Sequence, residues 1–210
     1  MILAVDSSTS VGSAALVDAG RLLREEAFAG GRSRGGGVAR AIADLILDAG
    51  EISAVVVGTG PGSYSGIRSA VAAAWGFAVT RRTPLFGVSS LLALAPGEYF
   101  AVGDARRGQY YFARIRDGEF VESPHLLTPG EILASIARCP DLPVFVPSDT
   151  PRVVPGQRVA TPRAALLAGL VPIDPESAPP WPPMPVPMYL KPPSITAPKS
   201  THRSRDRDPG

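Results

Sequence analysis

The sequence is poor in the residues that most enzymes use for catalysis. It has one cysteine, Cys139, so an internal disulfide framework is excluded and a reducing compartment is the expected setting. It has two histidines, His125 and His202, with no His-x-x-x-His and no His/Cys cluster, so no metal site of that kind is expected. A serine nucleophile would have only His125 for a base, and no triad can be assembled. Cys139 precedes Pro140 with no motif around it and reads as a structural thiol. No apolar run approaches the roughly 20 residues needed to span a bilayer. The start, Met-Ile-Leu-Ala-Val-Asp, lacks a basic segment and meets Asp6 after a short apolar run, unlike a signal or transit peptide. A cytoplasmic, membrane-free protein is the expectation. Net charge is only +2, so nothing at whole-chain level demands a nucleic-acid partner.

Glycine and proline, by contrast, are plentiful: 22 and 23 of 210 residues. The prolines crowd into 171–193, which predicts an extended, partly polyproline connector rather than a helix or strand. The tail beyond it, 192–210, is basic with no apolar face to bury and is expected to be disordered.

The chain between reads as one plan used twice. Apolar runs at 2–6, 12–17 and 22–28 predict a three-stranded meander. Val38, Ile42, Leu45, Ile46 and Ala49 share a helical face, predicting a helix over 38–49 that ends at Gly50. The β-branched run 52–58 suits a strand buried on both faces. A helix over 66–82 and a strand over 85–88 follow, then one helical turn in 89–95. A second meander is expected at 99–103, 109–116 and 119–122, its last turn marked by Asp117-Gly118. Thr128-Pro-Gly-Glu131 predicts a capped helix to about 138, 144–146 a strand, and Thr161-Pro162 a final helix through 170. The second copy is the reduced one.

Two motifs could carry chemistry. Gly58-Thr-Gly-Pro-Gly-Ser-Tyr-Ser-Gly66 joins a buried strand to a helix, where backbone amides can cradle an anion. It is not a P-loop, because Ile67 follows Gly66 where lysine is required. Nor does it have the third glycine and distal acid of a dinucleotide fingerprint. A glycine-rich turn at a strand–helix junction is more often structural, and that reading is favoured over the anion cradle. Asp6-Ser-Ser-Thr-Ser puts a carboxylate at a strand end, able to hold a metal–phosphate or simply to cap its own turn. Phosphate or nucleotide contacts would fall to Asp6, Ser7, Ser8, Gly60, Gly62 and Asp104.

The two N-terminal helices have apolar surface on more than one face. Ala70, Ala73 and Phe77, near Arg68, line the second predicted helix opposite its core stripe, and Ala39, Ala43 and Leu47 do so on the first. Either the second half of the chain wraps these faces or they form a subunit interface.

Ile2-Leu-Ala-Val-Asp-Ser-Ser, the Gly58–Gly66 string with Ile67-Arg68, and Pro84-Leu-Phe-Gly-Val-Ser-Ser-Leu91 occur here in one order with Asp104-Ala-Arg-Arg-Gly-Gln-Tyr-Tyr111 and Pro187-Met-Tyr-Leu-Lys191. The set resembles the TsaB (YeaZ) family of bacterial tRNA threonylcarbamoyladenosine (t6A) biosynthesis proteins, over essentially residues 1–191. The resemblance implies an α/β, actin/Hsp70-like (ASKHA, ribonuclease H-like) duplicated fold, with an N-terminal half at 1–95 and a reduced C-terminal half at 96–191. It implies a non-catalytic subunit that pairs through its first two helices with a TsaD-like catalytic paralogue. With a TsaE-like ATPase, such a pair supports transfer of threonylcarbamoyl to adenosine 37 of tRNA. It implies no intrinsic cofactor, ATP or ADP at the level of the complex, and tRNA contact only through the complex, and leaves a homodimer or a monomer open for the isolated chain. Where the family has His-Ser before the first helix, this chain has Arg32-Ser-Arg-Gly-Gly-Gly37, which loosens that helix start. Two other functions compete: an ATPase or small-molecule kinase using Asp6, Asp104 and the glycine-rich loop, and a metallopeptidase, which the missing histidines disfavour.

Overall fold

The computed structural model describes residues 1–30, 36–147, 150–171 and 182–190. The expected disordered tail, His202, Lys191, the 172–181 stretch of the connector and residues 32–35 of the altered helix approach lie outside the described residues.

Two five-stranded sheets are built on the same plan. In the first, β1 (Ile2–Asp6), β2 (Val11–Asp18) and β3 (Arg21–Ala29) form an antiparallel meander. β4 (Ala54–Gly58) then pairs parallel to β1, and β5 (Leu85–Val88) parallel to β4. The order is β3-β2-β1-β4-β5. In the second sheet β6 (Glu98–Asp104), β7 (Tyr110–Arg116) and β8 (Glu119–Leu127) repeat the meander. β9 (Val144–Val146) and the two-residue β10 (Arg158–Val159) follow in parallel, giving β8-β7-β6-β9-β10. The same strand order with the same pattern of directions in both sheets is the duplicated actin-like topology that the resemblance implies.

Alternation along the central strands decides what lies on each face. Leu3, Val5, Val55 and Val57 face one side, where α1 (Gly37–Ile46) and α2 (Tyr64–Arg81) cover them. Ala4, Ala15, Val17 and Val56 face the other side, roofed by α4 (Ala164–Ala168). α4 follows the second sheet in sequence yet packs on the first. Ser13 on β2 fixes its start: the Ser13 hydroxyl donates to the Pro162 carbonyl (2.9 Å) and accepts from the Ala164 amide (2.8 Å). Arg163 adds an ion pair to Glu25 on β3 at 2.6 Å. In the second sheet, α3 (Pro129–Ile136) seals Phe100, Val102, Phe112 and Val146 with its buried Ile132. Its start has the expected capping box, Thr128 and Glu131 bonding reciprocally.

Several expected boundaries move. The first helix stops at Ile46 rather than Ala49, and the second begins two residues early because the Ser63 hydroxyl caps it by accepting from the Gly66 amide (3.3 Å). α2 ends on Arg82 in the left-handed region (φ 54°), and the Thr83 amide closes the turn on the Ala78 carbonyl at 2.9 Å. The final helix is shorter than expected, and 89–95 contains a 3-10 turn, Ser90–Ala93. β8 runs on to Leu127, well past the expected end at 122, because Tyr110, Tyr111 and Phe112 continue to offer partners. β10 has no pattern of its own and exists only by pairing with β9.

Candidate functional site

Two places hold the residues singled out by sequence: the cleft between the sheets and the outer face of α1 and α2.

A cavity of about 910 Å³ lies where the β1 turn and the start of α2 face the end of β6. Ser8, Gly62 and Asp104 line it, together with Tyr64, Arg106, Tyr111 and Tyr189. Asp6, Ser7 and Gly60 do not. Asp6 is fully buried beneath the floor, and its carboxylate is already occupied. Oδ1 accepts from the Ser8 amide (2.8 Å) and hydroxyl (2.7 Å), and Oδ2 accepts from the Ser90 hydroxyl (2.5 Å). Burial pushes the Asp6 carboxyl above the usual carboxylate range, the three hydrogen bonds offsetting part of that rise. A buried carboxylate with its lone pairs spent on serines is a turn organiser in this geometry.

The glycine-rich string is explained by the same packing. A Cβ on Gly58 would overlap the Asp6 carboxylate, one on Gly62 the Ser8 carbonyl, and one on Gly66 the Ser7 carbonyl. The Ser63 amide donates to Ser8 O at 2.7 Å, the Gly60 amide to Ser90 Oγ at 2.9 Å, and the Gly66 amide to Ser63 Oγ. Loop and turn are thus one interlocked unit, and these three amides, which an anion would have needed, are spent within it. Asp104 stands on the opposite wall, where Oδ1 accepts from the Arg106 amide (2.7 Å) and Oδ2 pairs with the Arg106 guanidinium (3.2 Å). The structure brings Ser8, Gly62 and Asp104 to one cavity. Among the described residues no group of three or more His, Cys, Asp or Glu side chains is placed to hold a metal.

The outer face is built by helical spacing. Ala39, Ala43 and Leu47, four residues apart, all lie exposed on α1 or its C-terminal cap, Leu47 at 80%. On α2, Arg68 is exposed and Ala73 and Phe77 are half-buried at the edge of the core. Ala70 is a correction: it is fully buried with Ile67, Val71, Ala74 and Ala78 in the first core. One helical turn from Ile67 and from Ala74, it lies within the inward stripe rather than opposite it. It has no surface to give a partner. A groove of about 430 Å³ runs between the ends of the two helices, lined by Ile46, Ala49, Phe77 and Arg81 among others, and the Arg81 guanidinium stacks 5.8 Å over the Phe77 ring.

Sequence reasoning missed the aromatic cluster at the cleft mouth. Tyr64 and Tyr189 lie 5.3 Å apart, and the Arg68 guanidinium sits over Tyr64 and donates to its hydroxyl at 3.2 Å. The nearby Tyr189 and Tyr64 hydroxyls hold the Arg68 guanidinium above its ordinary pKa. It also missed Ser90 as the partner of Asp6. The only signal for either was position within the strings 58–68, 84–91 and 187–191 that carried the family resemblance.

The family model described as TsaD: tRNA N6-adenosine threonylcarbamoyltransferase matches residues 36–162. An uncharacterised protein of Mycobacterium tuberculosis is 33% identical over 154 residues, 67% of this chain and 72% of that protein. The tRNA threonylcarbamoyladenosine biosynthesis protein TsaB of Escherichia coli is 30% identical over 130 residues, 56% of each chain. Among solved structures, YeaZ from Pseudomonas aeruginosa shares the fold with a TM-score of 0.66 at 24% identity, covering 90% of this chain and 99% of that one. The chain spans between 26% and 72% of the length of the first curated relatives it matches. The family match over more than half the chain, the relatives bearing the TsaB name and the shared fold lead to one assignment: the chain belongs to the TsaB (YeaZ) family.

Proposed function

We propose that this chain is the non-catalytic partner subunit of a TsaD-like protein in t6A formation on tRNA. The observation that carries the pairing role is the α1–α2 face: an exposed Ala39–Ala43–Leu47 stripe bordering a groove with Phe77 at its edge. Apolar surface of this kind gains from being covered. The non-catalytic role is supported by the cleft, where Asp6, the carboxylate at the end of β1, is buried and bonded to serines rather than presented to a ligand.

In this reading the TsaD-like subunit supplies the chemistry, a TsaE-like ATPase acts on the pair, and ATP or ADP enters at the level of the complex. tRNA is contacted through the assembly, in the cytoplasm. Among the described residues no helix is long and apolar enough to cross a membrane. A second copy of this chain is the other occupant that the same face would accept when the partner is absent.

Size-exclusion chromatography of the purified chain mixed with its cognate TsaD-like protein tests the pairing. Co-elution is expected, with Ala73→Glu or Phe77→Glu abolishing it while the circular dichroism spectrum of the monomer stays unchanged. Separate elution of the unmodified proteins, or normal pairing by both variants, refutes the interface.

A further inference from the structure

The proline-rich stretch read as a connector does more than connect. Residues 182–190 run across the molecule in extended form and are fixed at successive points. The Trp75 indole N–H on α2 donates to the Pro182 carbonyl at 3.0 Å. Pro185 lies against Gly87 of the edge strand β5, so closely that a Cβ on Gly87 would come within 2.7 Å of the Pro185 Cβ and 2.9 Å of Thr59 Cγ2. The Met188 amide donates to the Thr59 carbonyl at 2.8 Å. Tyr189 packs on the Tyr64 ring with centroids 5.3 Å apart. Leu190 then leaves the first sheet and packs against the second-sheet cluster that includes Tyr99 and Tyr111. Met188, Tyr189 and Leu190 are themselves part of the cleft wall.

We infer that 182–190 is a latch that staples the two sheets across the cleft and fixes its opening. Duplicated folds of this topology are joined at the base by chain crossings, here after β5 and after β10, and such joints allow hinge motion. The strap adds a third link on the open side, anchored on both sheets. Its composition suits this: Pro182, Pro183, Pro185 and Pro187 hold it extended without internal hydrogen bonds and limit the conformational entropy lost on docking. The aromatic donor on α2 meeting a carbonyl in a proline-rich segment is the chemistry by which extended proline-rich ligands are held elsewhere. Here the ligand is the chain's own segment. Trp75 and Tyr64, two of its anchors, sit on α2, so the latch also ties the cleft to that helix. The inference stands whether or not α2 binds a partner.

Hydrogen–deuterium exchange on the whole chain tests it. Gly87→Val removes the space that Pro185 occupies while placing a good strand former in β5. The expected result is at least about a tenfold faster exchange at the non-proline amides of 184–190 and, with it, at both cleft walls, 61–65 and 104–109, while β1 and β4 stay protected. Faster exchange in the strap alone makes it a passive tail and overturns the latch, as does unchanged exchange throughout. Should Gly87→Val deprotect β4 and β5, Tyr189→Ala makes the same comparison without touching the sheet, with the same two results deciding it.

Discussion

Leu47 offers the sharpest quantitative test of the proposed pairing face, because it is large, apolar and 80% exposed. In Leu47→Ala the isopropyl group is lost, worth about 2.4 kcal/mol at about 0.8 kcal/mol per carbon fully buried. Four-fifths of that is still available to a partner, or about 1.9 kcal/mol, since the rest is already buried in the monomer. At about 1.4 kcal/mol per tenfold, the dissociation constant for the TsaD-like subunit rises about 25-fold. The monomer loses almost nothing: the side chain has little intramolecular packing, and alanine keeps the helix end. Isothermal titration calorimetry gives the binding change and a thermal melt of the isolated chain gives the stability. A dissociation constant within twofold of the unsubstituted protein would refute the reasoning. A melting temperature that falls as far as a core truncation would do so too, since Leu47 would then be covered from within.

Other consequences concern the fold beneath the site. Leu167 on α4 is fully buried against the alanines and valines of the first sheet, so Leu167→Ala should cost about 3 kcal/mol, read as a lower urea midpoint. Ser13→Ala would strand the Ala164 amide and the Pro162 carbonyl in a buried position at a cost of about 1–3 kcal/mol by the same assay, without changing pairing. Asp6 is protonated more readily in the folded protein than in the unfolded chain, where its value is 3.8. Its contribution to stability is therefore complete below that value and is lost as the pH rises through the raised folded value. Asp6→Asn should flatten this fall; a melting temperature with the same slope against pH in both proteins contradicts it.

What the sequence made legible was what local chemistry decides. The bounds of β1, β5 and β9 follow from short apolar runs between turn residues. The Asp117-Gly118 hairpin turn adopts left-handed angles at both positions, and the Thr128 capping box forms as the spacing requires. What depends on distant parts of the chain was not legible. β10 exists only beside β9, and α4 roofs a sheet laid down more than a hundred residues earlier. Ala70 read as outward because α2 is rich in alanine on every side, so its pattern alone does not say which alanines meet the sheet. The glycine-rich loop kept an anion cradle open beside the favoured structural turn, because glycine serves close approach to a ligand and close approach to a neighbouring turn equally well. Only the position of the Ser7–Ser8 backbone distinguishes the two here. The proline-rich segment gave no sign of docking, since its partners Trp75, Gly87 and Tyr64 are scattered along α2 and β5.

The central claim is that this chain contributes surface rather than chemistry. Reconstituted threonylcarbamoylation of tRNA adenosine 37 tests it most directly, comparing this chain alone, the TsaD-like subunit with the TsaE-like ATPase, and all three together. The account expects no modification from this chain alone, little without it, and full activity with it, lost again on Phe77→Glu. Modification by the isolated chain, or equal activity whether or not it is present, would contradict the account.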